Sequence, residues 1–375
     1  MKRVAFIGHR DMYYGAESVM LRIARLVKSK QLAEPIMVLP KSKHNGFREQ
    51  MEHDNFKQVK FYPYKLIGHS AIRCFLCLLY NFLGSIKAYF ELKKLETDVV
   101  YTNTSVNIFG AMVAYWLQKP HIWHFHEQPS GGAFKWIPKP LFPIYRYLIS
   151  RKNTTIVFIS NTQKLLWEKE FCQNIPNAMV IYTPPAKLSI TPNSLAKNDK
   201  PVFGFLGSFT ESKNILSLLT ATAKLNSHYP DVFEKLILMG AGEFEEQINK
   251  KTKELDLQNV VELWPHHENI APFYAAIDIF ILPSFFESWG LVALEAISEK
   301  KPLILTQNTG LKEILNHNED CIFIDPFKTE EIFHAMEKLL LDADFREALA
   351  KNAYRKIESL NFAERFENAV TTLFS

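Results

Sequence analysis

Cysteine is scarce: four residues in 375, too few and too scattered for a domain stapled by disulfides. Cys74 and Cys77 form a C-x-x-C, but it stands inside AIRCFLCLLYNFLG with no second pair and no histidine nearby. Zinc requires such partners; neither a zinc nor a thioredoxin-like redox site is expected here, and two buried thiols on one helix are. No secretory leader is expected either. MKRVAFIGHR runs straight into a strand-like segment with no small-residue cleavage site, so a cytoplasmic location is expected. Residues 71–90 are mostly apolar, but Arg73, Asn81, Gly84 and Lys87 interrupt them. That argues against a membrane span and for a buried or interfacial helix. No cluster of His, Cys and carboxylates has metal-ligand spacing. The one D-x-D, Asp342-Ala343-Asp344, precedes FREALA, where Asp344 with Glu347 reads as an N-cap and capping box. No metal is expected.

Positive charge is missing from one half. Residues 1–187 carry 26 Lys and Arg against 12 Asp and Glu, a net +14; the remainder carries 18 against 28, a net −10. The overall +4 hides this. A basic half suits an anionic partner, whether a membrane surface, a phosphorylated lipid or nucleic acid, or is an uneven solvated surface.

Strand-like runs alternate with helical patterns throughout. RVAFIG, EPIMVLP, TDVVYTNT, HIWHFHE, TIVFISN and MVIYTPP are spaced as the strands of a parallel α/β sheet. Residues 188–200, LSITPNSLAKNDK, are polar and turn-rich, and the pattern restarts after them: VFGFLG (202–207) echoes VAFIG (4–8). KLILMGAG, NVVELWP, IDIFILPS, KPLILT and CIFIDP follow. At 375 residues the chain is too long for one ordinary core. Two Rossmann-like domains are expected, 1–187 and 188–357, with an amphipathic helix at 358–375 packing back on the first.

Ligands of open parallel sheets bind beyond the carboxyl ends of the strands, so the polar residues there are the candidates. After IDIFILPS stands Glu287, with a helix opening near Trp289 or Gly290. Free N–H groups of a helix start hold anions, and a glycine lets a ligand approach the backbone. Glu295 is the one polar group in LVALEAI. Either it finds donors inside a ligand site or it points to solvent; the pattern leaves both open. After VFGFLG come Ser208 and Lys213, a hydroxyl and a cation for a diphosphate or an ordinary surface pair. Gly15 opens a helix in GHRDMYYGAES, and IWHFHE puts His124 and His126 on one face with Glu127 on the other. The histidines are ligand contacts or hydrogen-bonded structural residues.

Together these pieces resemble the retaining nucleotide-sugar glycosyltransferases of family 4, glycosyl transferases group 1, with the GT-B fold. The stretch PSFFESWGLVALEAISEKKPLILTQNTGLKEIL carries the specific part, with its two glutamates eight residues apart followed by a strand and a Gly-x-x-Glu-Ile turn. The resemblance implies two Rossmann-like domains whose parallel sheets face across an interdomain cleft. It implies a hexosyltransferase-like, retaining, metal-independent enzyme taking a nucleotide-diphosphate sugar. By the same resemblance Glu287 contacts the donor sugar and Glu295 the ribose. Trp289, Gly290, Leu291 and Val292 face the sugar and diphosphate, and Lys213, with Gly207 and Ser208, meets the diphosphate. His126 lies beside the donor sugar, and Gly15 against its phosphates. Two positions depart from the family pattern: Ser208 stands where many members have Arg, and Asn214 where a Gly follows the Lys.

For the acceptor side, residues 129–140, PSGGAFKWIPKP, set Lys135, Trp136 and Lys139 around an interfacial aromatic. The expectation is a polyprenyl-diphosphate-linked glycan acceptor used in cell-surface polysaccharide synthesis, with the enzyme peripheral on an anionic membrane surface and no nucleic acid involved. The alternatives are a nucleotide-sugar 2-epimerase of the same fold, a non-catalytic nucleotide-sugar binder and a two-domain periplasmic sugar-binding protein.

Overall fold

The computed structural model describes residues 1–10, 15–41, 51, 54, 56, 58–65, 71–129, 134, 137–186 and 200–375. They divide into two compact units, Met1–Thr183 with Ala363–Ser375, and Pro184–Phe362.

Among the described residues the first unit holds a parallel sheet of seven strands. These are β1 (Lys2–Ile7), β2 (Ala33–Pro40), β3 (Gln58–Tyr62), β4 (Val99–Asn103), β5 (His121–Phe125), β6 (Thr154–Phe158) and β7 (Ala178–Val180). Their order is β3-β2-β1-β4-β5-β6-β7. The connecting helices are α1 (Gly15–Ser29), α2 (Ala71–Lys94), α3 (Ile108–Leu117), α4 (Phe142–Ile149) and α5 (Asn161–Phe171). Helices on the faces of a parallel sheet bury its strands on both sides, which is why β1 reads as a continuous apolar run with Val4 to Ile7 fully covered. α1 buries Val19, Met20, Ile23, Ala24 and Val27, one face at helical spacing. An aromatic cluster of Trp123, Phe125, Phe134, Tyr145, Trp167 and Phe171 fills the space beside β5 and β6. Each such side chain contributes about 1.5–3 kcal/mol by leaving water. Cys74 and Cys77 are buried thiols within that cluster, as their setting suggested.

The second unit repeats the plan with six strands: β8 (Val202–Leu206), β9 (Lys235–Gly240), β10 (Val261–Pro265), β11 (Ile279–Leu282), β12 (Leu303–Thr306) and β13 (Ile322–Ile324). The order is β10-β9-β8-β11-β12-β13, again parallel. Its helices are α6 (Ile215–His228), α7 (Glu245–Glu254), α8 (Ala271–Ala276), α9 (Leu291–Ser298), α10 (Thr329–Leu341) and α11 (Ala343–Ser359). A last helix, α12 (Phe362–Phe374), lies on the first unit. Phe366, Val370 and Phe374 form its buried stripe, and the Phe374 ring stacks on Phe6 at 5.9 Å. Lys2 Nζ donates to the Phe374 carbonyl at 3.1 Å, and Lys30 pairs with Glu367.

The D-x-D expectation needs a correction of position. α11 starts at Ala343, so Asp342, not Asp344, is the N-cap, its Oδ1 accepting from Phe345 N at 2.9 Å. α10 ends at Leu341, and the single joint residue Asp342 closes one helix and opens the next. Asp344 sits in the first turn. Among the described residues no three His, Cys, Asp or Glu side chains are grouped to hold a metal ion, and no helix is long and apolar enough to cross a membrane.

Two imidazoles are buried along β5. His121 Nε2 meets Thr102 Oγ1 at 2.9 Å, and His124 Nδ1 meets Tyr101 Oη at 2.6 Å. Burial keeps Tyr101 protonated, and one proton is shared between its hydroxyl and His124 Nδ1. Burial pushes both histidines down to about 3, with the Arg151 charge adding at His121.

Two predictions follow from these features. Asp342→Ala should cost about 1 kcal/mol in urea unfolding, and Asp344→Ala clearly less, because only the first removes a cap. The histidines should make the first unit acid-sensitive. Above pH 7 they are neutral in both states and contribute nothing to pH dependence. As pH falls from the ordinary 6.5 toward about 3, the unfolded chain binds protons that the native state refuses, costing up to about 1.4 kcal/mol per pH unit for each histidine. Thermal unfolding at pH 7, 6 and 5 should show falling stability, and His124→Gln should flatten that fall. An unchanged slope in the variant would remove His124 from the account.

Candidate active site

A parallel sheet presents every strand's carboxyl end on one edge, and a crevice opens there where the strand order reverses. In the second unit that reversal lies between β8 and β11. The loop after β8 carries Gly207 and Ser208, then a 3-10 turn at Glu211–Lys213. The loop after β11 carries Glu287. Lys213 Nζ and Glu287 Oε2 are 2.7 Å apart, so the crevice is bridged by an ion pair, its side chains 19% and 16% exposed. The pair is framed by backbone, with Phe285 N donating to Ser212 O at 2.9 Å.

Asn214 explains one departure from the family pattern. Its φ of 56° is left-handed, a region that asparagine enters more readily than other side-chain-bearing residues. Its buried amide then donates to Pro283 O at 3.2 Å and Pro326 O at 2.7 Å, tying the Lys213 turn to the loops after β11 and β13. A glycine would adopt the angle but lose both bonds.

Glu287 is held by its own backbone. Its N–H donates to Asn308 O at 3.0 Å, and its carbonyl accepts from Gly310 N at 3.2 Å. Gly290, at φ +90°, caps α9, a geometry that strains any L side chain. Trp289 is buried, while Leu291 and Val292 open the helix at intermediate exposure. The first-turn N–H groups of a helix have no intrahelical acceptor, so this start is suited to an anion.

Glu295, farther along α9, is 8% exposed, which rules out the solvent-pointing alternative. The Tyr274 hydroxyl lies 3.1 Å from its Oε2 and 2.8 Å from Val292 O, one proton shared between two acceptors. Burial first, then the Glu295 charge, holds Tyr274 protonated, its pKa well above the ordinary value. Glu295 therefore already has a donor inside the protein. A carboxylate accepts about four hydrogen bonds, so one tyrosine does not by itself saturate it.

Sequence reasoning missed Tyr274, which sits in APFYAA without any local signal. It also passed over two glycines after β9. A methyl on Gly240 would stand 1.9 Å from Gly207 O, and one on Gly242 2.3 Å from Phe209 O. They let the loop after β8 close on its neighbour, and a glycine pair directly after a strand was the available signal.

In the first unit the reversal lies between β1 and β4. Asn103 ends β4 and His126 follows β5. Asn103 Nδ2 donates to Ala16 O at 3.2 Å, which turns its Oδ1 toward His126 Nε2 at 2.8 Å. His126 Nε2 must then be the donor, leaving Nδ1 as the lone-pair nitrogen. Asn103 thus joins His126 to the start of α1, where Gly15 is exposed. Burial, with His124 and His9 beside it, holds the His126 pKa well below 6.5, so the ring is neutral. Its ring centroid is 4.2 Å from that of His124. His9 Nδ1 lies 2.7 Å from Oε1 of the buried Glu17, close but not aligned as a hydrogen bond. Glu127 accepts from Ser105 N and Oγ. The structure thus gathers Gly15 with His126 in one unit, and Gly207, Ser208, Lys213, Glu287 and the start of α9 in the other. Lys139 is exposed in a short turn, Lys139–Leu141, while Lys135 and Trp136 lie outside the described residues.

Residues 188–356 match the family model for glycosyl transferases group 1. An uncharacterized glycosyltransferase of Methanocaldococcus jannaschii is 21% identical over 334 residues, 82% of each chain. The lipopolysaccharide core biosynthesis glycosyltransferase LpsE of Rhizobium meliloti is 28% identical over 159 residues, 42% of this chain and 45% of that one. Anabaena HepE, solved in complex with UDP and glucose, matches across the whole of both chains with a TM-score of 0.81 at 19% identity, a likeness of fold. The second unit thus carries the glycosyl transferases group 1 domain, and the two parallel-sheet units together have the architecture of a GT-B-fold glycosyltransferase.

Proposed function

We propose that the chain moves a sugar from a nucleotide-diphosphate sugar to a hydroxyl of a lipid-linked glycan during cell-surface polysaccharide synthesis, without a metal ion. The observation that carries the donor side is the Lys213–Glu287 pair at the strand reversal of the second unit. A partly exposed ion pair nets about 0.2–1 kcal/mol, whereas a hydrogen bond to a charged group is worth about 1.5–3 kcal/mol. A diphosphate can therefore draw Lys213 away from Glu287, and the freed carboxylate accepts hydrogen bonds from the donor sugar's hydroxyls. The backbone of Trp289, Gly290, Leu291 and Val292, with Gly207 and Ser208, lines the same anion. Glu295 takes the ribose.

Departure of the diphosphate puts negative charge on the leaving group and positive charge on the sugar ring. Lys213 and the start of α9 stabilise the first. Neutral His126 offers Nδ1 to a hydroxyl of the donor sugar, and Gly15 admits the phosphates to the start of α1. With retention, the acceptor attacks on the leaving group's own face, and the departing phosphate takes its proton. The lipid-linked acceptor is supported by the basic first half and by a relative named for lipopolysaccharide core synthesis. An enzyme using such an acceptor works at the inner face of the membrane.

Purified protein is incubated with UDP-, GDP- and ADP-sugars, with and without polyprenyl-diphosphate-linked glycans, in excess EDTA. The expected products are free nucleoside diphosphate and an extended acceptor. An isomerised donor sugar with no extended acceptor would mean a 2-epimerase, and loss of activity that magnesium or manganese restores would end the metal-free mechanism. In calorimetry with the nucleoside diphosphate, Glu295→Gln should lose about 1–3 kcal/mol of affinity; unchanged affinity would sink the ribose assignment.

Gly15 separates ligand from fold. A methyl there meets nothing within 4 Å, and Ala in place of Gly in a helix is neutral or stabilising by up to about 1 kcal/mol. Gly15→Ala should keep or raise the melting temperature while weakening donor binding. Full donor affinity in this variant would remove Gly15 from the site.

A further inference from the structure

Helix α2 has two finished sides. Its inner side, with Cys74, Cys77, Asn81, Ala88 and Leu92, is buried in the first unit. Gly84 allows that packing, since a methyl there would stand 2.2 Å from Pro63 O. Its outer side is apolar as well. Ile72, Phe75, Leu76, Leu79, Leu83 and Phe90 are 50–78% exposed. Their steps of three, four and seven residues make one stripe along most of the helix. Exposed apolar residues scattered singly call for no explanation, but a contiguous stripe of this kind marks an interaction surface.

The stripe continues onto neighbouring helices through aromatic rings with polar tips. Phe82 meets Trp116 of α3 edge-on at 5.7 Å, and Trp116 Nε1 donates to Ser85 Oγ. Tyr115 meets Tyr147 of α4 edge-on at 6.4 Å, with the Arg151 guanidinium 4.9 Å over the Tyr115 ring. Tyr147 is 58% exposed.

The charged side chains exposed on α2 itself are all basic: Arg73, Lys87, Lys93 and Lys94. The helix contains one acid, Glu91, and it accepts from Tyr62 Oη at 2.9 Å. Lys65 lies 5.4 Å over the Tyr80 ring, adding a cation beside the same face.

We infer that the outer face of α2, with Trp116 and Tyr147 at its edge, docks this protein onto an anionic lipid surface. Apolar side chains that can enter the acyl boundary, aromatics with polar tips and a rim of cations are what a helix lying in the plane of a membrane presents. At 1.5 Å per residue the helix would lie about 36 Å along the surface. A second copy is the poorer occupant, because a two-fold contact would set this basic rim against itself. The inference deepens the reading of a lipid-linked acceptor and rests on it for its purpose. It is tested without any substrate, so failure of one leaves the other standing.

The test is flotation of the full chain with vesicles of phosphatidylcholine alone or mixed with phosphatidylglycerol, at low and high salt, beside sedimentation of the lipid-free protein. Variants are Leu76→Glu with Leu79→Glu, Lys87→Glu, and Leu341→Glu in the second unit as an exposed control. Circular dichroism and a melting curve confirm that each is folded. Wild type and Leu341→Glu should float with the anionic vesicles and lose binding in high salt. Leu76→Glu with Leu79→Glu should reduce the floated fraction about tenfold or more, and Lys87→Glu should weaken it on anionic vesicles. Three results would overturn the proposal: no flotation with either vesicle type, flotation indifferent to the paired leucine change, or a lipid-free dimer that the leucine change dissolves.

Discussion

Parallel strands impose one constraint from which the rest follows. Each connection must return to the starting edge before the next strand begins, so all carboxyl ends, and the loops that leave them, share one edge. Where the order reverses, between β1 and β4 in one unit and β8 and β11 in the other, successive loops part to opposite sides. The residues with chemical capacity stand at these two places. Asn103 and His126 line the first, and Lys213 and Glu287 bridge the second.

The second unit shows how the loops are held in readiness. Glu287 takes its position from backbone bonds to Asn308 and Gly310 as well as from its side-chain pair with Lys213. Its carboxylate is therefore available to exchange partners without unravelling the loop. Lys213 is fixed in the same way through Asn214, whose amide reaches two proline carbonyls. A charge pair mounted on rigid backbone can open and close at little structural cost, which is the property a site for an incoming anion requires.

Much of this was legible in the sequence. The alternation of apolar runs with helical patterns gave both sheets, and the glutamate spacing with the glycine before LVALEAI marked the start of α9. What was hidden depends on packing between distant segments. Tyr274 reaches Glu295 across 21 positions, and Asn103 reaches His126 across 23. No local pattern foretells either. The cap at Asp342 was missed by two residues because helix ends are set by the joint with α10, not by the residue types alone. The pattern at 71–90 allowed a buried or an interfacial helix, and α2 has one buried side and one exposed apolar side, since periodicity reports an apolar face but not what covers it.

Amide hydrogen exchange, with and without a nucleoside diphosphate, tests the central claim most directly, because it reads where an anion is held without any turnover. Exchange should slow in residues 207–214 and 287–295, the two loops joined by the Lys213–Glu287 pair. Slowing elsewhere in the second unit, with those two stretches unchanged, would contradict the account.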